Sequence, residues 1–209
     1  MAVAIDNSTS IKLMNLQIAH CPSAGVSVMT SDNVTVENSI VFGNTWWSTK
    51  GESAIQVVDA IGGGKIVVNN NIVHGNRNYM PNYQQSPPPA GVNQTSTYGS
   101  SAQFDINDGN GILVARSTNY TGSFEITRNI VYDNGVNGIS VHRLTNNRTK
   151  VLVEKNLLFG NGKTNKVNEY RQSAGGILLS SGEKNLNQTA TLKNNTVYIT
   201  EFPGTTYNC

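Results

Sequence analysis

The stretch that decides the fold is Phe124-Glu-Ile126-Thr-Arg-Asn129-Ile130-Val-Tyr132-Asp-Asn134-Gly135-Val-Asn137-Gly138-Ile139-Ser-Val141. Its opening alternates apolar and polar residues, the two-residue period of a half-buried strand. An Asn follows, then a short apolar run, then Asp-Asn, then another alternating strand that begins on a glycine. The same order returns along the chain. It is read in Val34-Thr-Val36-Glu-Asn-Ser39-Ile40-Val-Phe42-Gly-Asn44, in Ile66-Val-Val68-Asn-Asn-Asn71-Ile72-Val-His74-Gly-Asn76 and in Val151-Leu-Val153-Glu-Lys-Asn156-Leu157-Leu-Phe159-Gly-Asn161. Ala190-Thr-Leu192-Lys-Asn-Asn195-Thr196-Val-Tyr198 repeats the first part, and Ile11-Lys-Leu13-Met-Asn15-Leu16 is a looser copy with its Asn one place early. A strand opening on a small residue follows the copies, at Gly25-Val-Ser-Val28, Ala54-Ile-Gln-Val57, Gly111-Ile-Leu-Val114, Gly138-Ile-Ser-Val141 and Gly176-Ile-Leu-Leu179.

Each repeat therefore carries three short strands. One repeat cannot bury its apolar face alone, whereas stacked repeats share a continuous core. The reading is all-β: a right-handed parallel β-helix of about five or six coils, with long loops at one corner. Asn71, Asn129, Asn156 and Asn195, with Ser39 in their place in an earlier copy, form a column at one corner. Stacked Asn side chains there can bond along the axis and satisfy a turn. Residues 1–209 read as one domain, with 77–109 as a long insertion after which the repeat resumes in register.

Composition narrows the partners. Only 13% of residues are charged and the net charge is +2. That balance argues against nucleic acid and against an acidic membrane surface. There is no apolar run of about 18 residues, as a membrane-crossing helix needs. The first residues lack a basic and an apolar leader segment and read as the end of a strand. Seven N-x-[ST] sites, at Asn7, Asn33, Asn93, Asn119, Asn147, Asn187 and Asn194, lead us to expect a secreted glycoprotein. Cys21 and Cys209 fall at opposite ends of the solenoid, so they pair only if the C-terminal tail folds back.

Loops lengthen at one corner. They carry Trp46, Trp47 and Lys50 after the second copy, Tyr79 and Pro87-Pro88-Pro89 in the long insertion, and Lys163, Lys166, Glu169, Tyr170 and Arg171 after Asn161. The loop after Asn134 is short, Gly135-Val-Asn137, so a groove is expected over the coil from Asn134 to His142, with Asn134, Asn137, Tyr79 and Arg171 among its contacts. One of the two tryptophans is expected to stack on a sugar face while the other plugs a corner. Past the strand end, Asp59, Arg116 and Arg143 align in one column, a pair of guanidiniums suited to a carboxylate. The plainer reading of that column is a solvated ladder in which Asp59 neutralises Arg116. His142 adjoins it and titrates near neutrality, making it a candidate base beside Lys50. His74 sits in the column of Phe42, Tyr132 and Phe159, where packing explains it. Asp105 and Asp108, with Asn107 and Asn110, make an oxygen-rich cluster able to hold Ca²⁺, although turn formation explains the same residues.

Taken together, Gly43-Asn44-Thr-Trp46-Trp47, Gly75-Asn76-Arg77-Asn78, Asp108-Gly109-Asn110-Gly111-Ile112 and Arg128-Asn129 through Gly138-Ile139 resemble the secreted β-helix repeat proteins of the pectate-lyase-like superfamily. The resemblance implies a polysaccharide partner and often β-elimination on uronic acids. In such lyases Lys or Arg takes the C5 proton, while Ca²⁺ or Arg neutralises the carboxylate. The chain lacks the paired Asp and Gly-His-Gly motifs of polygalacturonases and the dense Asp cluster of the better-known pectate lyases. The expectation is a lyase or hydrolase acting on uronic-acid polymers, with Arg116 or Arg143 on the carboxylate and His142, Lys50 or Tyr79 as base. The alternative is a non-catalytic extracellular protein: an adhesin, or a filament subunit that associates through open solenoid ends.

Overall fold

A computed structural model describes residues 1–47, 52–77, 109–144, 146, 148–162, 175–180 and 189–198. Within them the chain winds through six coils of three strands. The first coil holds β1 (Val3–Asp6), β2 (Thr9–Met14) and β3 (Gln17–Ala19), and the second β4 (Val26–Met29), β5 (Asp32–Glu37) and β6 (Ile40–Phe42). The third holds β7 (Ile55–Val58), β8 (Lys65–Asn69) and β9 (Ile72–His74), and the fourth β10 (Ile112–Ala115), β11 (Ser123–Thr127) and β12 (Ile130–Tyr132). The fifth holds β13 (Ile139–His142), β14 (Lys150–Glu154) and β15 (Leu157–Phe159), and the sixth β16 (Ile177–Ser180), β17 (Thr189–Lys193) and β18 (Thr196–Tyr198). Like strands of successive coils pair in parallel, giving three six-stranded sheets: A (β1-β4-β7-β10-β13-β16), B (β2 to β17) and C (β3 to β18). This is the expected parallel β-helix.

The register follows the sequence columns. Val34, Ile66, Phe124 and Val151 stack on sheet B, and Val26, Ile55, Ile112 and Ile139 on sheet A. All point into one core, and Val41, Val73, Val131 and Leu158 enter it from sheet C, each 0% exposed. Burying a side chain of this size stabilises the fold by about 1.5–3 kcal/mol.

The corners explain the punctuation. At the B–C corner, Asn71 donates its side-chain amide to Val36 O and to Asn129 Oδ1, and Asn129 donates in turn to Val68 O and Asn156 Oδ1. Asn156 continues the ladder to Asn195. Leu16 occupies this column in the first coil, and its N–H donates to Ser39 Oγ. Asn15 precedes it with φ +58°, in line with Asn38, Asn70, Arg128, Lys155 and Asn194, all left-handed. The early Asn of the looser copy therefore belongs to the neighbouring column, where a left-handed residue turns the chain and Asn is among the cheapest side chains.

A second ladder, which the sequence reading did not distinguish, lies at the C–A corner. Asn44, Asn76, Asn134 and Asn161 are buried, each donating to the Oδ1 of the next in the order given. It also explains the small residue that opens each sheet A strand. A Cβ on Gly25 would lie 2.7 Å from Val41 Cγ1, and one on Gly138 2.6 Å from Leu158 Cδ2. At these glycines the backbone crosses against the core side chain that the same coil sends in from sheet C, leaving no room for a Cβ.

Candidate functional site

The A–B corner holds the expected charged column. The residues just after the sheet A strands are Asn7, Thr30, Asp59, Arg116 and Arg143, each left-handed, with φ between 46° and 56°. Their N–H groups donate to the final strand carbonyl of the next coil, as Asp59 does to Ala115 O and Arg116 to His142 O. Asp59, Arg116 and Arg143 therefore occupy equivalent positions one coil apart, at about 4.8 Å per step. A left-handed Arg costs on the order of 1 kcal/mol over Gly. Arg128 and Lys155 bear the same strain at the B–C corner, so strain by itself does not mark this site.

Pairing separates the two arginines. Arg116 Nη2 lies 3.3 Å from Asp59 Oδ2, with both side chains more than half exposed. In water such a pair contributes about 0–1 kcal/mol, and another anion exchanges for it readily. Arg143 is exposed and forms no ion pair with another described residue. His142 ends β13 just inside this column and is half-buried. Burial, then the positive charges of Arg143 and Arg116, hold its imidazole below the ordinary histidine value of 6.5. A neutral imidazole beside two guanidiniums can accept a proton while they balance an anion.

Other expected site residues land elsewhere. Asn134 (0% exposed) and Asn137 (4%) do not face a ligand. Asn134 sits in the C–A ladder, donating to Val73 O and Asn161 Oδ1, and Asn137 N–H donates to Asn110 Oδ1. The recurrence of Gly-Asn at this corner was the signal for that structural role. The groove expected over the same coil narrows accordingly. The outward-pointing Ser27, Gln56, Leu113 and Ser140 of sheet A are all buried, so this coil reaches solvent at His142 and Arg143. Trp46 and Trp47 are both exposed, at 40% and 57%, correcting the expectation that one is buried. They lie in a turn, where side chains do not alternate as in a strand, and their rings meet edge to face at 6.2 Å. The Trp46 indole donates to His20 O at 3.2 Å.

His74 packs as expected, sandwiched between Phe42 (5.1 Å) and Tyr132 (4.7 Å) with the rings parallel. Asn7, Asn33, Asn119 and Asn194 are at exposed positions. Lys50, Tyr79, Arg171, Asp105, Asp108, Asn93, Asn147, Asn187 and Cys209 lie outside the described residues. Among the described residues Cys21 is a free thiol, no group of three His, Cys, Asp or Glu gathers as metal ligands, and no helix is long and apolar enough to cross a membrane.

The family model described as right-handed β-helix region matches residues 2–197. No curated protein has a significantly similar sequence. Among solved structures, the chain is similar to the crystal structure of pectate lyase Pel9A, with 15% identity and a TM-score of 0.37 over 92% of this chain and 51% of that one. The chain thus spans about half the length of that protein.

Proposed function

The chain belongs to the right-handed β-helix family, and on that premise we propose that it binds an acidic polysaccharide at the A–B corner and cleaves it by β-elimination. The observation that carries the reading is the juxtaposition of Arg116 and Arg143, one coil apart, with a half-buried His142 held neutral beside them. Either guanidinium can take a uronate carboxylate in a bidentate pair. Arg143 is free to do so, and Arg116 would exchange Asp59 for the ligand. Neutralising the carboxylate acidifies the C5–H bond. His142 would accept that proton, the C4–O bond would break as the C4=C5 double bond forms, and the departing oxygen would take a proton from water. The exposed Trp46 and Trp47 add flat apolar faces for sugar rings elsewhere along the chain. Secretion and N-glycosylation at the exposed Asn7, Asn33, Asn119 and Asn194 belong to the same proposal, as does Ca²⁺ at Asp105 and Asp108.

The test is incubation with polygalacturonate, alginate and neutral glucans, following absorbance of unsaturated products and, separately, retardation in gels containing each polymer. Arg143→Gln is expected to weaken binding about 10- to 100-fold, the worth of a charged hydrogen bond. His142→Gln is expected to keep binding and lose about 10²–10⁴-fold in turnover. Turnover should rise with pH to a plateau, with a midpoint below 6.5, because the base works only when neutral. Neither binding nor turnover on any acidic polymer would end the proposal.

A second reading, binding without cleavage, is favoured by one observation: no carboxyl or hydroxyl group among the described residues is bonded to His142 to orient it. Binding that survives His142→Gln with no unsaturated product from the unsubstituted chain would select it.

A further inference from the structure

The outward faces of sheets B and C differ in a way that polysaccharide binding at the A–B corner does not use. Sheet B points Lys12, Glu37, Lys65, Glu125, Glu154 and Lys193 into solvent. Sheet C, at two outward positions per strand, carries no Asp, Glu, Lys or Arg at all. One of its columns is aliphatic over its four middle strands, with Ile40, Ile130 and Leu157 at 39%, 37% and 39% exposed, and ends on the uncharged Gln17 and Thr196. The other is the aromatic column around His74, whose rings cover one another and leave their edges outward. Consecutive strands pair in parallel without a change of register, so both columns run unbroken along the face.

We infer that sheet C is the interface of a homodimer, two copies packing face to face. Six strands at about 4.8 Å spacing, with outward side chains about 7 Å apart along each strand, make a patch on the order of 300 Å² in flat projection. Side-chain relief raises its accessible area to on the order of 500–600 Å², at the top of what a monomer leaves exposed. Two such faces bury on the order of 1,000 Å² together, the lower edge of a specific interface. A second copy fits because a two-fold axis parallel to the solenoid brings each aliphatic column against the partner's aromatic edges. Both columns repeat at the same spacing, so each layer meets the equivalent layer of the partner. A face without charge meets its own copy without like-charge repulsion. This contact runs along the side of the solenoid and leaves the coil ends and the A–B corner free, so it stands apart from the proposed activity.

The test is sedimentation equilibrium of the full chain from about 1 to 100 µM, the range in which an interface of this size associates. The expected mass is twice the chain's 22.5 kDa, before any glycan. Ile130→Lys with Leu157→Lys should return it to one chain mass, whereas Leu152→Lys on the outward face of sheet B should leave the dimer intact. Should the lysine variant lose its strand circular dichroism, Ile130→Thr with Leu157→Thr places strand-favouring β-branched residues at both positions and is expected to weaken association at least tenfold. A single-chain mass for the unsubstituted protein throughout the range would overturn the inference. So would a dimer that both folded sheet C variants leave unchanged, which would place the contact at the coil ends.

Discussion

Sheets B and C share one construction and meet the solvent in opposite ways. Each stacks six parallel strands, sends Val, Ile, Leu or Phe into the same core and turns the alternate side chains outward. On sheet B the outer positions hold crossed ion pairs, Lys12 to Glu37 and Lys65 to Glu125, both at 2.7 Å. On sheet C the same kind of position holds parallel rings 4.7 to 5.1 Å apart and a run of exposed aliphatics. The difference teaches that the coil constrains what points inward and what turns the corners. What points outward is set by whatever each face meets: water on B, and on C the second copy inferred above.

The sharpest way to break the comparison is to remove what both sheets depend on. Asn129→Ala sits at their common corner and strands Asn71 N–H and Val68 O, both of which bond to its side chain. At about 1–3 kcal/mol per buried orphan, the loss should be about 3 kcal/mol. For a chain of this size that is a fall in Tm of about 6–12 °C, read by circular dichroism. Next comes the outer column of sheet C. Tyr132→Ala removes two ring contacts, with His74 and Phe159, and should cost about 1–3 kcal/mol. Lys65→Ala on sheet B should cost less than about 1 kcal/mol, and high salt should erase even that, since the pair is largely solvated. If Lys65→Ala proved as damaging as Tyr132→Ala, the two faces would not differ in kind.

Acidity gives the smallest effect. Burial lowers the His74 pKa below 6.5, against the opposing charge of Asp133. The folded state therefore binds this proton less readily than the unfolded chain. Stability should be full above 6.5, fall as pH drops through that value, and level off below the folded-state pKa. His74→Phe, which keeps the stack, should flatten the part of this slope that His142 does not supply.

Much of the A–B corner was legible before any coordinates. Asp59, Arg116 and Arg143 fall one residue past a recurring strand, and parallel stacking without slippage converts equal places in the repeat into axial neighbours. The pairing of Asp59 with Arg116 was legible too, as the plainer reading of that column, and the structure has it. How far His142 is buried was not legible, because it depends on corner angles and neighbouring coils that no local pattern encodes. Asn134 and Asn137 show the converse: an Asn that recurs beside glycine at a turn looks the same in sequence whether it faces a ligand or bonds along the ladder.

By itself, then, the sequence determined the three-strand coil, the register between coils and the Asn column at the B–C corner, because an alternating strand with fixed punctuation can superpose on its copies in only one way. The tertiary structure decided which face of each three-residue sheet C strand is inside. In Ile40-Val-Phe42 or Ile130-Val-Tyr132 all three residues are apolar, so periodicity carries no sign. Only the closing of the coil, which turns Val41 and Val131 inward at 0% exposure, leaves their flanking neighbours pointing out.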